Sequence, residues 1–178
     1  MTRSLATLTL LLPMAAASDV WGLFMQTGQG VGIRPVGFEA LESLRIEAGV
    51  PRYGVDMDED VFPVEAGLEE KAISYTKGCY TGQEPISRIR HRGQVNRHLI
   101  GFISENPMPP QKGDKVMKDG QEMGYITSGT VSPTLEKTVA LGYLRREFAD
   151  AGQSVTILRG ETPVSAFVAT LPFYERKK

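Results

Sequence analysis

The apolar and polar positions follow two different patterns along the chain. After about residue 97 the apolar residues occur in short runs separated by Gly, Asp and Pro, which is typical of strands. The strands predicted in this way span residues 98–103, 115–118, 121–130, 138–143, 154–159 and 163–169. Asp119-Gly120, between the second and third runs, predicts a hairpin turn. Many short strands at this spacing predict a small antiparallel β-barrel or sandwich.

Before residue 97 the apolar positions follow a helical period instead. In residues 36–48 they recur three or four residues apart, at Phe38, Leu41, Leu44 and Ala48. This spacing predicts an amphipathic helix, which Gly49 ends. Glu42 and Arg45 lie at the i, i+3 spacing of exposed ion pairs, which stabilise helices by about 0.2–0.5 kcal/mol. A second helix is predicted from Gln83 to about residue 91.

The N-terminal residues leave two interpretations open. A basic residue, an apolar run and small residues after it resemble a secretory signal peptide. The same residues also fit a buried strand over residues 5–12, followed by a helix from about Ser18 that Ser18 or Asp19 caps. We favour the strand and the helix, because Pro13 interrupts the apolar run and the residues after it keep helical spacing.

Composition and charge exclude several kinds of site. Hydrophobic residues make up 41% of the chain and charged residues 23%, so the chain can form a core. A single cysteine excludes an internal disulfide and a CxxC metal site. Two histidines are too few for a histidine-rich metal site, so we expect no protein-only zinc centre. The net charge of −1 argues against a polyanion-binding chain. The acidic residues 56–60 lack the spacing of a calcium loop, so they predict a solvated loop.

Positive charge is concentrated in one region of the sequence. This basic region consists of Lys77, Arg88, Arg90, His91, Arg92, Arg97 and His98. Only Glu84 opposes it. A local patch of this kind attracts phosphates or polyanionic tails, such as that of a polyglutamylated folate. The alternative is a solvated helix face that binds nothing.

The only cysteine, Cys79, lies in the stretch Lys-Gly-Cys-Tyr-Thr-Gly-Gln-Glu at residues 77–84. Thr81 and Glu84 have the spacing of a capping box, which predicts a helix start just after the cysteine. The positive end of that helix and the nearby Lys77 both favour the thiolate form. The alternative is a buried cysteine in a glycine-rich turn, since most free cysteines act as small hydrophobes.

Residues 77–84 resemble the signature K-G-C-[FY]-x-G-Q-E of the YgfZ family. Members of that family are folate-binding proteins related to the glycine cleavage T-protein and linked to iron–sulfur cluster maintenance. All eight consecutive positions match, including the cysteine and both glycines. The resemblance therefore indicates a YgfZ-like protein.

Three further stretches resemble the T-protein itself. Residues 44–51 with Tyr53 and Gly54 are similar to the motif L-R-L-E-A-G-x-P-x-Y-G, whose arginine lies at the folate site and corresponds to Arg45. Residues 62–68, which contain Glu65, resemble a family stretch that runs beneath that site. Residues 124–133 are similar to the C-terminal T-protein motif G-x-V/I-T-S-G-x-x-S-P.

The resemblance implies an α+β fold in two parts. Residues 1–94 would be a partial T-protein-like folate-binding domain, truncated at its N-terminal side, and residues 95–178 a small antiparallel β-barrel. The implied cofactor is tetrahydrofolate. The implied function is support of iron–sulfur cluster assembly or repair and, through it, of tRNA modification. The expected partners are iron–sulfur proteins or their assembly machinery, with no direct nucleic acid and no membrane, in the cytoplasm or the mitochondrial matrix.

The resemblance also implies the site residues. Cys79 would be the catalytic residue, and the folate-binding residues would be Arg45, Tyr53, Glu65, Lys77 and Arg88. Two other functions remain open: an aminomethyltransferase of glycine cleavage, and a non-enzymatic remnant that binds a partner. This chain alone is not expected to complete the aminomethyl transfer, because the catalytic aspartate of that enzyme class lies in the N-terminal half.

Overall fold

Six short strands make up the second half of the chain in the computed structural model, which describes residues 8–93 and 95–174. They are β1 (Arg97–Ser104), β2 (Lys115–Lys118), β3 (Gln121–Ser132), β4 (Lys137–Arg145), β5 (Ser154–Arg159) and β6 (Thr162–Ala169). Antiparallel pairing closes them into a barrel in the order β1-β4-β3-β2-β5-β6. The predicted small antiparallel barrel is confirmed, and closure leaves no free sheet edge within it.

Side chains along each strand point alternately inward and outward, and the inward-pointing ones fill the barrel interior. The buried inward-facing residues are Phe102, Val116, Met123, Ile126, Ala140, Leu144, Val155, Ile157, Ala166 and Val168. The β2–β3 hairpin turns at Asp119 and Gly120, which have φ values of 51° and 79°. Positive φ at both central residues is the requirement of a type I′ turn, so the predicted hairpin is confirmed.

Strand β4 is buried on both of its faces. Its residues 138–144 are all buried, because alternate side chains enter the barrel interior while the others form a second apolar cluster outside. This outer cluster consists of Ile46, Leu99, Val139, Leu141 and Tyr143. It lies beneath the helical part of the chain, so the barrel's outer face is where the two parts meet.

The helical part contains α1 (Ala17–Thr27), α2 (Phe38–Glu47), α3 (Glu69–Ala72) and α4 (Gln83–Arg92). Helix α2 ends with Ala48 as its C-cap and Gly49 at a φ of 63°, which glycine adopts without strain. The helices predicted over residues 36–48 and from Gln83 are therefore confirmed, each within two residues at the start.

The predicted orientation of α2 is wrong. The side chains of Phe38 and Leu41 are 86% and 46% exposed, whereas Arg45, Ile46 and Glu47 are buried. The helix packs on the outer faces of β3 and β4, where polar groups of β3 require partners that apolar side chains cannot supply. Hydrogen bonding therefore outweighs the apolar periodicity of this helix.

Two other local predictions are also wrong. Residues 8–12 of the expected strand belong to no strand, and Leu8 and Leu11 are 84% and 92% exposed; residues 5–7 lie outside the described part. Helix α1 does form, but its N-cap is Ala16 and no side chain caps it. Within the described residues, no helix is long and apolar enough to span a membrane.

The expected capping box at Thr81 is wrong as well. Helix α4 begins after Gly82, which is its N-cap with a φ of 88°, and no side-chain hydrogen bond caps the helix. A left-handed glycine at this position makes the turn into the helix, so the hydroxyl of Thr81 is not needed there. Cys79 consequently lies in an exposed irregular segment ahead of the helix.

Substituting Gly124 tests the close approach of β3 to β4. A Cβ at this residue would lie 1.9 Å from the Tyr143 carbonyl oxygen, so Gly124→Ala forces a backbone shift. We expect it to lower the free energy of unfolding by about 1–3 kcal/mol. The matched control is Gly22→Ala in α1, where a Cβ meets nothing within 4 Å. Urea unfolding followed by circular dichroism measures both, and equal stabilities for the two variants would contradict the packing described here.

Candidate functional site

A buried carboxylate, Asp56, connects α2 to the barrel. Its Oδ2 accepts a hydrogen bond from Arg45 Nη1 at 2.6 Å and one from the Arg52 backbone N–H at 2.9 Å. Its Oδ1 accepts hydrogen bonds from Thr127 Oγ1 at 2.6 Å and Ser128 Oγ at 2.7 Å. Asp56 is only 2% exposed. The expected solvated loop is therefore wrong at this residue, whose charge is balanced by the arginine and fully hydrogen-bonded.

The guanidinium of Arg45 is occupied within this network. Its Nε donates to Glu42 Oε2 at 2.8 Å, its Nη2 lies 2.7 Å from the same oxygen, and its Nη1 also donates to the Val50 carbonyl at 3.2 Å. The side chain is 9% exposed. The ion pair with Glu42, expected on an exposed helix surface, is thus part of a buried connection to Asp56.

A second carboxylate, Glu47, connects the last turn of α2 to the end of β3. Its Oε1 accepts a hydrogen bond from Ser132 Oγ at 2.5 Å, and its Oε2 accepts one from Thr134 Oγ1 at 2.9 Å. The residue is 4% exposed. Two charged side chains of α2 therefore hold the helix against the barrel, one on each side of Ile46.

A cavity of about 450 Å³ opens where β1 begins and β4 ends. Its lining consists of Arg97, Glu122, Met123, Gly124, Tyr125, Tyr143, Leu144 and Arg145. The register brings these residues together, since Arg97 pairs with Arg145 across β1 and β4. Tyr125 likewise pairs with Tyr143 across β3 and β4. Antiparallel partners face the same side of a sheet, so the two arginines and the two tyrosines share the outer face.

Arg97 is the most highly connected residue of the cavity. Its Nε donates to Glu65 Oε1 at 3.2 Å, and its Nη1 donates to Tyr125 Oη at 3.1 Å. Its guanidinium also lies 5.1 Å from the centre of the Tyr143 ring. Burial, the largest single influence, lowers the pKa of Arg97, but the hydrogen bond to Glu65 and the electrostatic interactions with Tyr125, Glu65 and Tyr143 together raise it by more, so the net shift is upward. Arg97 therefore stays a cation that is fixed from three sides.

The two tyrosines form an aromatic wall with protonated hydroxyls. Their ring centres are 5.6 Å apart at a tilt of 36°. Burial raises the pKa of both Tyr125 and Tyr143, so both hydroxyls remain neutral at pH 7. Tyr143 is 1% exposed, and its Oη has no hydrogen-bond partner within residues 8–93 and 95–174. A buried donor without a partner is costly, so this hydroxyl is an unusual feature of the residues around the cavity.

The structure brings only one of the predicted site residues to this cavity. Glu65, which is 8% exposed, contacts it through Arg97. Arg45 lies in the neighbouring Asp56 network, and Tyr53 is 63% exposed. The Lys77 ammonium lies 4.7 Å from the centre of the Tyr80 ring.

The remaining predicted residues lie on exposed surface. The side chain of Arg88 is 67% exposed and pairs with Glu84 at 2.5 Å. Cys79 is exposed too, which contradicts the alternative of a buried cysteine in a turn. Within the described part of the chain, no group of three or more His, Cys, Asp or Glu side chains is placed to hold a metal ion. The catalytic role of Cys79 stays a prediction.

Sequence reasoning missed Tyr125 and Tyr143 as site residues and named Arg97 only as part of the basic region. Tyr125 belongs to residues 124–133, whose similarity to the T-protein served only as a marker of the barrel. A signal was available in the spacing, because outward-facing aromatic residues on neighbouring strands are unusual unless something covers them.

Comparison with known families matches both parts of the chain. Residues 9–77 match the GCVT N-terminal domain, and residues 97–175 match the glycine cleavage T-protein C-terminal barrel domain. A solved structure of the glycine cleavage system aminomethyltransferase T from Bartonella henselae has the same fold, with a TM-score of 0.81 and 24% identity. That match covers 92% of this chain and 45% of the solved one.

Two of the similar curated proteins are aminomethyltransferases. An aminomethyltransferase of Desulforamulus reducens is 37% identical over 94% of this chain and 46% of its own length. An aminomethyltransferase of Halothermothrix orenii is 34% identical over 88% of this chain and 43% of its own length. The chain thus spans less than half the length of these relatives.

The interpretation of the chain as a YgfZ-like protein in iron–sulfur cluster assembly and tRNA modification is wrong. It depended on the eight residues 77–84, whereas the similarity to an aminomethyltransferase extends over 168 residues. A short motif on an exposed segment is a weaker guide than similarity that includes the buried network and the barrel core. The comparisons favour the alternative of an aminomethyltransferase of glycine cleavage.

Replacing the buried carboxylate tests how the two parts of the chain are connected. Asp56→Asn leaves Arg45 with one carboxylate partner fewer in a buried position, and breaking buried pairs of this kind costs about 3–5 kcal/mol. We expect a loss of unfolding free energy near the lower value, since Glu42 still pairs with Arg45. The control is Glu84→Gln, which removes an exposed pair worth about 0–1 kcal/mol. Similar losses in both variants, measured by urea unfolding, would show that the Asp56 network is not what joins the parts.

The buried hydroxyl of Tyr143 predicts a pH dependence of stability. Burial raises the pKa of the Tyr143 hydroxyl in the folded chain. The stability that the neutral hydroxyl contributes is therefore fully present below the pKa of the unfolded chain, and it is lost as the pH rises from that pKa toward the folded-state pKa. An unfolded tyrosine ionises near pH 10, so the loss amounts to about 1.4 kcal/mol per pH unit above that value. Tyr143→Phe removes this loss. The stability of the variant relative to the parent should therefore rise between pH 9.5 and about 11; a constant difference in urea unfolding would contradict the assignment.

Proposed function

The chain belongs to a T-protein-like family, and we propose that it supplies the tetrahydrofolate-binding and barrel part of an aminomethyltransferase of the glycine cleavage type. The observation that carries the proposal is a cavity whose lining combines a fixed cation with an aromatic wall, including Tyr143, whose buried hydroxyl has no partner within the described residues. Curated relatives named aminomethyltransferase support the same reaction class.

The residues of the cavity fit the chemistry of a folate. A folate combines flat, polar aromatic rings with a glutamate tail that carries carboxylates. The rings of Tyr125 and Tyr143 offer an aromatic surface, and the Tyr143 hydroxyl offers a hydrogen-bond donor that no protein group uses within the described residues. The guanidiniums of Arg97 and Arg145 offer charge-assisted hydrogen bonds to carboxylates. When bound, tetrahydrofolate supplies the acceptor for the one-carbon unit.

Each residue of the cavity has a separate task in this proposal. Tyr143 donates a hydrogen bond to the folate, and Tyr125 packs against it. Arg97 attracts its negative charge. Glu65 is a positioning residue, because it fixes the guanidinium of Arg97 at 3.2 Å. Arg45 is a positioning residue too, since it acts through Asp56 and the strand that carries Tyr125.

The other predicted folate-binding residues stay predictions. Tyr53, Lys77 and Arg88 lie on exposed surface, where Lys77 and Arg88 add to the positive charge that would attract a polyglutamate tail. The tyrosines that line the cavity are neutral at pH 7, because burial raises the pKa of both, and the lining carboxylate of Glu122 is paired with Lys115. We therefore propose that this chain binds and orients the cofactor, and that residues outside it complete the reaction.

Removing the Tyr143 hydroxyl tests the proposed site without disturbing the fold. Tyr143→Phe deletes a group that has no partner in the described residues, so the free energy of unfolding at pH 7 should be unchanged or higher. The affinity for tetrahydrofolate, measured by calorimetry, should fall by about 0.5–1.5 kcal/mol.

The control is Tyr174→Phe, which changes an exposed tyrosine and should leave the affinity unaltered. An unchanged affinity for Tyr143→Phe would remove the cavity as the binding site. A chain that is folded but binds no tetrahydrofolate at all would refute the proposed function and favour a partner-binding role.

A further inference from the structure

The segment that follows β6 lies across the outer face of the barrel. Residues 171–174, called here the strap, belong to no helix or strand. Leu171 and Phe173 are half-buried and pack against the outer cluster, to which α2 contributes Ile46. The strap is therefore in contact with both parts of the chain.

Two glycines make room for the strap. A Cβ at Gly101 of β1 would lie 2.5 Å from Cζ of Phe173, so the phenyl ring lies directly on the strand backbone. A Cβ at Gly49, just after α2, would lie 2.8 Å from Cβ of Leu171. Because close-packed interiors do not tolerate such overlaps, the two glycines allow the apolar side chains of the strap to approach the backbone.

Hydrogen bonds connect the strap to the last turn of α2. The backbone N–H groups of Phe173 and Tyr174 both donate to the Glu47 carbonyl oxygen, at 2.9 and 3.3 Å. Carbonyls of the last turn have no partner inside their helix, so the strap supplies one. The Glu47 side chain meanwhile accepts a hydrogen bond from Ser132 of β3. The end of α2 is thus held by the strap and by the barrel.

The strap also contacts the layer of side chains that contains Tyr143. Across β1 and β4, Gly101 pairs with Leu141 and Leu99 pairs with Tyr143. Alternate residues of a strand face the same side, so Phe173 on Gly101 lies two residues, roughly 7 Å, from the Leu99–Tyr143 pair. Tyr143 belongs to the outer cluster and also lines the cavity. The aromatic wall of the cavity and the packing site of Phe173 are therefore adjoining parts of one layer.

We propose that Phe173 is a positioning residue of the cavity, which keeps the ring of Tyr143 in place from the side of the outer cluster. Phe173 is not among the described residues that line the cavity, so it acts through the cluster. Without its ring a gap would remain above Gly101, because glycine has no side chain to fill it. Tyr143 would then tilt toward the gap and lose its 5.6 Å ring spacing to Tyr125.

This inference deepens the proposed function and rests on it, since the ligand of the aromatic wall is taken to be tetrahydrofolate. Shortening the side chain in the full protein chain tests it. Phe173→Ala should weaken tetrahydrofolate binding, measured by calorimetry, about two- to tenfold, because part of the aromatic contact is lost. Phe173→Leu refills most of the gap with an apolar side chain, so it should restore binding to within about twofold of the parent.

Chemical modification shows whether the effect passes through Tyr143. Tetranitromethane nitrates accessible tyrosines, and mass mapping of peptides locates the nitrated residue. Tyr143 is buried, so it should stay unmodified in the parent and in Phe173→Leu, whereas it should be nitrated in Phe173→Ala. Tyr53 is 63% exposed and should be nitrated in all three proteins, which makes it the internal standard.

A matched variant separates positioning from a general loss of stability. Val155 is buried in the barrel interior on β5, which pairs with neither β1 nor β4. Val155→Ala also removes buried apolar volume, but it should leave the affinity and the protection of Tyr143 unchanged. Circular dichroism checks the fold of each variant. If Phe173→Ala does not fold, Phe173→Val takes its place with the same expectations.

Three outcomes would overturn the inference. They are an unchanged affinity in Phe173→Ala, an equal loss in Val155→Ala, and a loss of affinity while Tyr143 stays unmodified. The proposed function is judged separately by the parent chain. A folded parent that binds no tetrahydrofolate refutes that function, and the nitration of Tyr143 then still decides whether Phe173 holds its ring in place.

Discussion

One buried carboxylate, that of Asp56, holds the helical part of the chain on the barrel. It accepts hydrogen bonds from Arg45 of α2 and from Thr127 and Ser128 of β3, all at 2.6–2.7 Å. A charge at 2% exposure is tolerated only when its partners are in place, so the three elements must assemble together. The position of α2 is therefore determined by directional hydrogen bonds. Ile46 packs into the outer cluster within the arrangement that these bonds impose.

This constraint explains why the molecule has two unlike surfaces. Because Arg45 and Glu47 face the barrel, the apolar side chains of Phe38 and Leu41 on α2 are left exposed. On the other side, the loop after α2 carries Glu65 to the start of β1, where it fixes Arg97 beside the tyrosine pair. The Asp56 network thus sets which side of α2 is exposed, and a separate set of contacts between Glu65 and Arg97 shapes the polar cavity.

The chemistry of the cavity suits binding better than catalysis. Its tyrosines remain protonated because they are buried, and its arginine remains charged because Glu65 stabilises it. Such groups hold their protonation state near pH 7, so they suit the orientation of a bound molecule.

The sequence by itself determined the barrel strands, the hairpin and the limits of α2 and α4, because these depend on residues that are neighbours in the chain. β2 and β5 occupy the predicted residues, and Gly49 ends α2 as expected. Similarity to the T-protein predicted folate-binding roles for Arg45 and Glu65, which stay predictions, and the structure shows Glu65 in contact with Arg97 at the cavity. The sequence misled where an exposed motif of eight residues was weighed above the longer similarity.

Only the tertiary structure decided which face of α2 is buried and which residues share a cavity. Asp56 was expected to be exposed to solvent, because its hydrogen-bond partner Thr127 lies 71 residues further along the chain and no local pattern indicates it. Likewise, Ser132, the partner of Glu47, lies 85 residues away. Tyr125 and Tyr143 meet through the register of β3 and β4, which no local pattern records. Apolar periodicity measures what a helix can bury, whereas long-range hydrogen bonds between buried polar groups determine what it does bury.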